Sequence, residues 1–351
     1  FAEGKMTGVF QLESRVAQST SRSLKPKRFE DIVALVALIR PGPLGAGMHN
    51  EFADRANNRK EIEYLHNDLE SILNETYGVI LYQEQVMQIA EKIAGFNLQE
   101  ADNLRVAMGK KIPKVMEEQR KKFTDGAVSN NYSEQFAIEL FDQIAYFAGY
   151  GFNKSHSVPY ALLAYQTAYL KANYPAEYIA ACLTAVKRDK DRTAIFLSEA
   201  RDMGVKVSTP DINLSSSDFT VNDNEILFGL SAVRNVGDIT ADKIVLERES
   251  NGHFESIEDF LSRIDSRSLN KRGVEALIQG GGLDKFGLTR KGMFDSAIEL
   301  IENAKELKAN KENNQGSLFE MEDSNSTHIN INNTEWDKKE LLEREREMLG
   351  F

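Results

Sequence analysis

The sequence predicts a mainly α fold with a small β element: a helical domain, then a helix-hairpin-helix region and a mobile linker. Three observations lead to that class. Helical apolar spacing recurs from Ile32 to Ala185, broken by Gly and Pro rather than by strand patterns. Beyond Val205 the pattern shortens into strand-like runs, Lys206–Ile212 and Asp218–Phe228, the latter folded over at Asn222–Asn224. Gly229-Leu-Ser-Ala-Val-Arg-Asn-Val-Gly-Asp238 then joins a short helix to a longer one, Ile239–Arg248, through a hydrophobic-Gly turn.

Taken in order, Ile32–Ile39 is an apolar helix stopped by Arg40-Pro-Gly-Pro43, since proline and glycine force a turn there. Arg40 reads either as a ligand or as a charge well placed at a helix C-terminus. Tyr77–Ala90 starts extended and becomes helical, with Gly95 placed to close the helix in the left-handed conformation. Asn97 and Glu100 form a capping-box start for a helix that reaches Lys110 and bears Arg105. Pro113 prevents that helix from continuing, and Lys114, Arg120, Lys121 and Lys122 read mostly as solvated surface charge. Residues 133–147 form an amphipathic helix, and Ala172–Ala185 forms another. Asp189-Lys-Asp191 has a spacing that could hold magnesium, but between charged neighbours it reads as a helix boundary. A second, looser hairpin has Leu269–Ile278 as its first helix and Gly280–Gly282 as its turn. Residues 303–335, rich in Asn, Glu, Lys and Ser, are expected to be a mobile linker. Within them, Gln315-Gly-Ser-Leu-Phe319 offers an apolar pair that requires a pocket, on its own protein or on another. Trp336–Leu349 is a charged amphipathic helix.

The totals bound the function. A length of 351 residues with 41% hydrophobic content suits two or three domains. There is no run of about 18 apolar residues, so no transmembrane helix is expected. The single cysteine, Cys182, excludes an internal disulfide and fits a reducing cytoplasm. A net charge of −11 argues against a simple nucleic-acid coat. Cations nevertheless gather at 15–28 and 105–122, while glutamate dominates 299–347, which suits one anion-facing surface. The chain opens on Phe1-Ala-Glu-Gly and closes on Met348-Leu-Gly-Phe351, which reads as an internal piece of a longer protein.

The strongest chemical signal is Phe147-Ala-Gly-Tyr-Gly-Phe-Asn-Lys-Ser-His156, running into Ser157–Lys171. A glycine-rich turn presents Asn153, Lys154, Ser155 and His156 at the start of a helix apolar enough to be buried on most sides. Ser155 or Ser157 is expected to cap it, with Pro159 in the first turn. Free amides, a cation and an imidazole at the positive end of a helix dipole form an anion site, for which phosphate is the natural ligand. Arg105, Lys110 and Lys111 make a second cationic cluster at a helix end beside Gly109. In the hairpins, Arg234, Val236, Gly237, Lys243, Lys271 and Arg272 are placed to meet a nucleic-acid backbone without reading bases.

Together these motifs resemble the bacterial C-family DNA polymerases, whose replicative form is the DNA polymerase III alpha subunit. The matching segments are Gly8–Ser14, Phe29–Pro43, Tyr77–Met87, Ala101–Lys111, Phe147–His156 with the helix to Lys171, and Gly229–Gly237. Gln315, Leu318 and Phe319 are similar to that family's internal motif for a sliding clamp. The resemblance implies fingers over 1–207, short strands with tandem helix-hairpin-helix over 208–300, a flexible linker with the clamp motif over 301–335, and a helix over 336–351 leading to a further domain. It implies binding of incoming dNTP, primer-template DNA, a sliding clamp and other holoenzyme subunits, with no membrane. Magnesium would be held by palm aspartates outside this chain, so no catalytic or metal residue is expected here. One departure stands out: the family commonly has a second basic residue after Arg105, and here that position is Val106. The alternatives are a non-catalytic DNA-binding scaffold and an error-prone paralogue of the same family.

Overall fold

The computed structural model describes residues 1–110, 113–147, 151–265, 267–313, 329 and 331–350. The chain divides into two units, Phe1–Leu170 and Lys171–Phe351. In the first unit the helices are α1 Arg15–Leu24, α2 Phe29–Leu38, α3 Pro41–Gly45, α4 Met48–Ala56, α5 Glu70–Leu73, α6 Gln83–Ala94, α7 Leu98–Lys110, α8 Pro113–Ser129 and α9 Glu134–Phe147. The tenth, α10 Lys154–Asn173, ends just inside the second unit.

Two cores hold the first unit. One gathers Leu12, Leu35, Leu38, Phe52, Tyr82 and Ala161, and the other Ile89, Leu104, Phe123, Phe141 and Ile144. The expected caps are present. Asn97 and Glu100 exchange backbone-to-side-chain bonds of 3.0 and 2.9 Å, and Gly95 closes α6 at φ 69°. Gly126 marks the closest approach in the second core. A Cβ there would lie 2.2 Å from the Ala94 carbonyl oxygen, so α8 packs backbone to backbone against the end of α6.

Helix α10 departs from expectation. Its large apolar side chains Leu162, Leu163, Tyr165, Tyr169 and Leu170 are 45–50% exposed, while the small residues Ser157, Ala161 and Ala164 are buried. Small residues at i, i+4 and i+7 let the helix seat closely on the first core and turn its bulky side chains outward. Its cap is Asn153, whose Oδ1 accepts from the His156 amide at 2.9 Å, rather than Ser155 or Ser157. Pro159 therefore falls past the first turn, inside the helix.

The second unit contains α11 Pro175–Val186, α12 Lys190–Asp202, three short strands, α13 Asp238–Asn251, α14 Ile257–Arg263, α15 Lys271–Gln279, α16 Arg290–Asp295, α17 Ala297–Asn313 and α18 Lys338–Leu349. The strands β1 Val207–Ser208, β2 Thr220–Asn222 and β3 Glu225–Leu227 are ordered β1-β3-β2. β1 runs parallel to β3 with Val207 opposite Ile226, and β2 antiparallel to it with Val221 opposite Ile226. Asp223 and Asn224, at φ 48° and 64°, make the two-residue turn, which needs side chains that tolerate the left-handed region. Asp189 caps α12 through a 3.1 Å bond from the Arg192 amide, so the Asp-x-Asp is a helix boundary.

Helix α17 runs into the segment expected as a linker. α17 continues to Asn313, because Glu, Lys and Ala are strong helix formers. Glu335 accepts from the Arg290 and Lys291 amides at 2.8 and 3.0 Å, completing the start of α16. Gln315, Leu318 and Phe319 lie outside the described residues.

Candidate functional site

The anion-binding turn is built by two strand-like pieces. Tyr82 bridges Phe152 in parallel, with Gln83 donating its amide to the Phe152 carbonyl at 2.9 Å. Gly151 allows this approach, since a Cβ there would stand 2.9 Å from the Phe147 ring. The chain then enters α10 with its first amides directed at the start of α6.

Those amides are not free. Glu84, in the first turn of α6, accepts from the Lys154 amide at 3.0 and 2.9 Å and from the Ser155 amide at 3.3 Å. The Lys154 ammonium binds the Glu75 carboxylate at 2.6 Å, and both partners are about two-thirds shielded from solvent. Glu75 is in turn positioned by Arg28, which bonds its carbonyl at 2.6 Å and pairs with buried Asp31. In this structure the acceptor on those amides is an internal carboxylate. Sequence reasoning missed Glu84 and Glu75 because they lie 70 and 79 residues upstream of Lys154.

Around this carboxylate pair, Tyr82 is buried and its hydroxyl has no partner among the described residues. Burial, and then the charges of Glu75 and Glu84, push that phenol far above its ordinary range. The His156 ring is held between Phe152 and Tyr160, with centroids 5.5 and 4.4 Å away. The Arg40 guanidinium lies 3.8 Å over the Phe152 ring, so its role is a stack against the turn rather than only a charge at a helix end.

The second cationic cluster is less assembled. Arg105 is paired at 2.8 Å with Asp102 of its own helix. Lys110 is exposed at the end of α7, and Lys111 lies outside the described residues. None of the hydrogen bonds or ion pairs of the described residues joins Arg105 to the 153–156 turn.

In the second unit, Leu230–Ala232 forms a single 3-10 turn and Gly237 precedes α13, with the Val236 side chain buried beneath. Arg234 bonds the Met348 carbonyl through its amide at 3.0 Å and Glu347 through its guanidinium at 2.6 Å. Lys243 reaches Ser268 at 2.7 Å, and Lys271 pairs with Glu275 at 3.5 Å. Arg272 is exposed and makes no ion pair among the described residues. A cavity of about 380 Å³ borders the hairpin turn and adds Lys187, Arg188 and Lys190, cations the sequence reading passed over. Lys187 joins Asp218 and Asp238 at 2.6 and 2.5 Å, and Arg188 joins Asp238 as well. Hydrogen bonds from Lys187 and then Arg188 hold the Asp238 carboxyl at about 2.

Among the described residues no group of three His, Cys, Asp or Glu side chains could hold a metal ion. Among the described residues no helix is long and apolar enough to cross a membrane.

These features define a class: a helical unit followed in the chain by a second, mostly helical unit with a small three-stranded sheet. Residues 1–131 match the model of the bacterial DNA polymerase III alpha subunit finger domain, and residues 204–312 match that of the helix-hairpin-helix motif. The chain is 44% identical over 355 residues to the DNA polymerase III subunit alpha of Campylobacter jejuni, covering 99% of itself and 30% of that protein. It is 44% identical over 362 residues to that of Saccharopolyspora erythraea, covering 100% and 30%. It is 43% identical over 358 residues to that of Vibrio cholerae, covering 99% and 31%. The chain belongs to the family of bacterial DNA polymerase III alpha subunits, and spans about 30% of the length of these curated relatives.

Proposed function

We propose that these residues are the fingers and clamp-binding portion of a replicative DNA polymerase, serving template-directed nucleotidyl transfer in the cytoplasm. The fingers, residues 1–207, receive the triphosphate of the incoming dNTP at Asn153, Lys154, Ser155 and His156, with Arg105, Lys110 and Lys111 adding charge. The observation that supports this most is the carboxylate of Glu84 seated on the Lys154 and Ser155 amides, an acceptor in the place a phosphate oxygen would take. A phosphate oxygen offers the same acceptor geometry with more charge. It would take the amides from Glu84 and the ammonium from Glu75, and the helix dipole favours the more negative ligand.

Residues 208–300 hold primer-template DNA through phosphates, using Arg234, Val236, Gly237, Lys243, Lys271 and Arg272. Gln315, Leu318 and Phe319 in the 301–335 segment bind a sliding clamp, and residues 336–351 lead on toward other parts of the holoenzyme subunit. Magnesium and bond-making are assigned to a palm domain outside residues 1–351.

The test is nucleotide incorporation by the full-length subunit carrying Lys154→Ala or Arg105→Ala. Each is expected to raise the apparent nucleotide dissociation constant about tenfold, the loss of one charge-assisted contact to phosphate. An unchanged constant in both removes the site assignment. For the clamp motif, the Leu318→Ala/Phe319→Ala variant is titrated against a sliding clamp. Binding equal to that of the parent returns the pair to self-docking.

A further inference from the structure

A second concavity in the first unit has no part in the nucleotide reading. It is a groove of about 900 Å³ between α4 and α9, floored by Met48, Val79 and Ile80. On α9 its wall is the outward stripe from Glu134 to Tyr146. Twelve helical steps make that wall about 18 Å long, the length of three turns of helix. Ile138 and Tyr146 present apolar surface along it, at 37% and 62% exposure.

The rim is acidic. Glu134, Glu139 and Asp142 stand on the α9 side and Glu51 on the α4 side, with Arg55 the one cation among the described lining residues. Glu51 is compensated by Arg55 and Lys60 at 2.7 Å each, and Asp142 by Arg120. Glu134 and Glu139 have no ion pair among the described residues, and both are exposed. An apolar floor beside two glutamates without ion pairs, Glu134 and Glu139, open along its length, has the dimensions and charge of a helix-in-groove site rather than of an enclosed small-molecule pocket.

We propose that this groove docks a short cationic amphipathic helix of a partner protein. Its apolar side chains, at i, i+4 and i+7, would pack on Ile138, Tyr146 and Met48. Its lysines or arginines would face Glu134 and Glu139. The occupant is identified by charge complementarity: an acidic peptide, or the glutamate-rich surface of a second copy of this chain, would meet like charge.

The test uses full-length protein and a labelled twelve-residue peptide with Leu at positions 1, 5 and 8 flanked by Lys, read by fluorescence anisotropy. The variant Glu134→Lys/Glu139→Lys changes two exposed positions, which leaves folding largely undisturbed. Glu117→Lys/Glu118→Lys on the exposed face of α8 is the control. Binding about tenfold weaker in the groove variant, unchanged in the control, is the expected result. A peptide with Glu in place of Lys should prefer the groove variant over the parent. The proposal is overturned if the parent fails to bind the lysine peptide, or if parent and groove variant bind it equally. A concentration-dependent dimer of the parent that the groove variant abolishes would also overturn it, giving the groove to a second copy.

Discussion

At the residue scale, the side chains of the 153–156 turn meet partners that adjacent sequence does not reveal. Asn153, Lys154, Ser155 and His156 were legible as a helix start from local rules, because caps and dipoles act within one turn. That Asn153 rather than a serine is the cap follows from where the parallel bridge to Tyr82 releases the chain. Asn153→Ala should cost about 1 kcal/mol in urea unfolding, while Asn153→Asp should cost little. Asp238 supplies a prediction in pH. Its carboxyl titrates at about 2, held down by Lys187 and then Arg188, against about 3.9 for an unfolded chain. A lowered native value means that its contribution is complete above pH ~4 and is lost as pH falls toward ~2. Asp238→Asn should therefore flatten the acid limb of a stability-versus-pH curve in that window and leave neutral pH less stable. A curve of unchanged shape would remove the Lys187–Asp238 pair from the account.

At the element scale, helix positions were legible wherever a cap or a breaker marked them, as at Asn97–Glu100, Gly95 and Arg40-Pro-Gly-Pro43. Orientation was less so. A helix as apolar as α10 reads as buried on most sides, yet its small residues face inward and its bulky ones outward, a choice made by the shape of the core. The reach of α17 to Asn313 was hidden by a polar composition that suits a linker and a solvated helix equally. Close packing gives the sharpest test here. Gly126→Ala places a methyl 2.2 Å from the Ala94 carbonyl oxygen and should destabilise by about 3 kcal/mol or more. Gly109→Ala in α7 meets open space and should stabilise by up to about 1 kcal/mol. Urea midpoints for the pair distinguish steric contact from a general intolerance of side chains at helical glycines.

For the whole molecule, a net charge of −11 coexists with anion sites because cations are placed locally and acids screen the remainder. The fold class and family motifs could be read in the sequence, since they rest on periodicity and on contiguous turns. The carboxylates that fill the turn could not, because they lie far upstream of it, and the neighbouring cations Lys187, Arg188 and Lys190 meet the hairpin turn and Asp238 only through the fold. If the hairpins hold DNA through phosphates, Arg272→Ala should weaken binding uniformly across sequences. It should also reduce the slope of log affinity against log salt by about 1. A sequence-dependent loss would indicate base contact instead.

The most direct test of the central claim is the affinity of the full-length subunit for incoming nucleotide in two variants of the same turn. If Glu84 is an internal anion that the triphosphate displaces, Glu84→Gln should tighten binding by about fivefold, while Lys154→Ala weakens it. Binding that weakens in both would make Glu84 a support for the turn rather than a displaced anion. Binding unchanged in both would place the phosphates elsewhere and contradict the account.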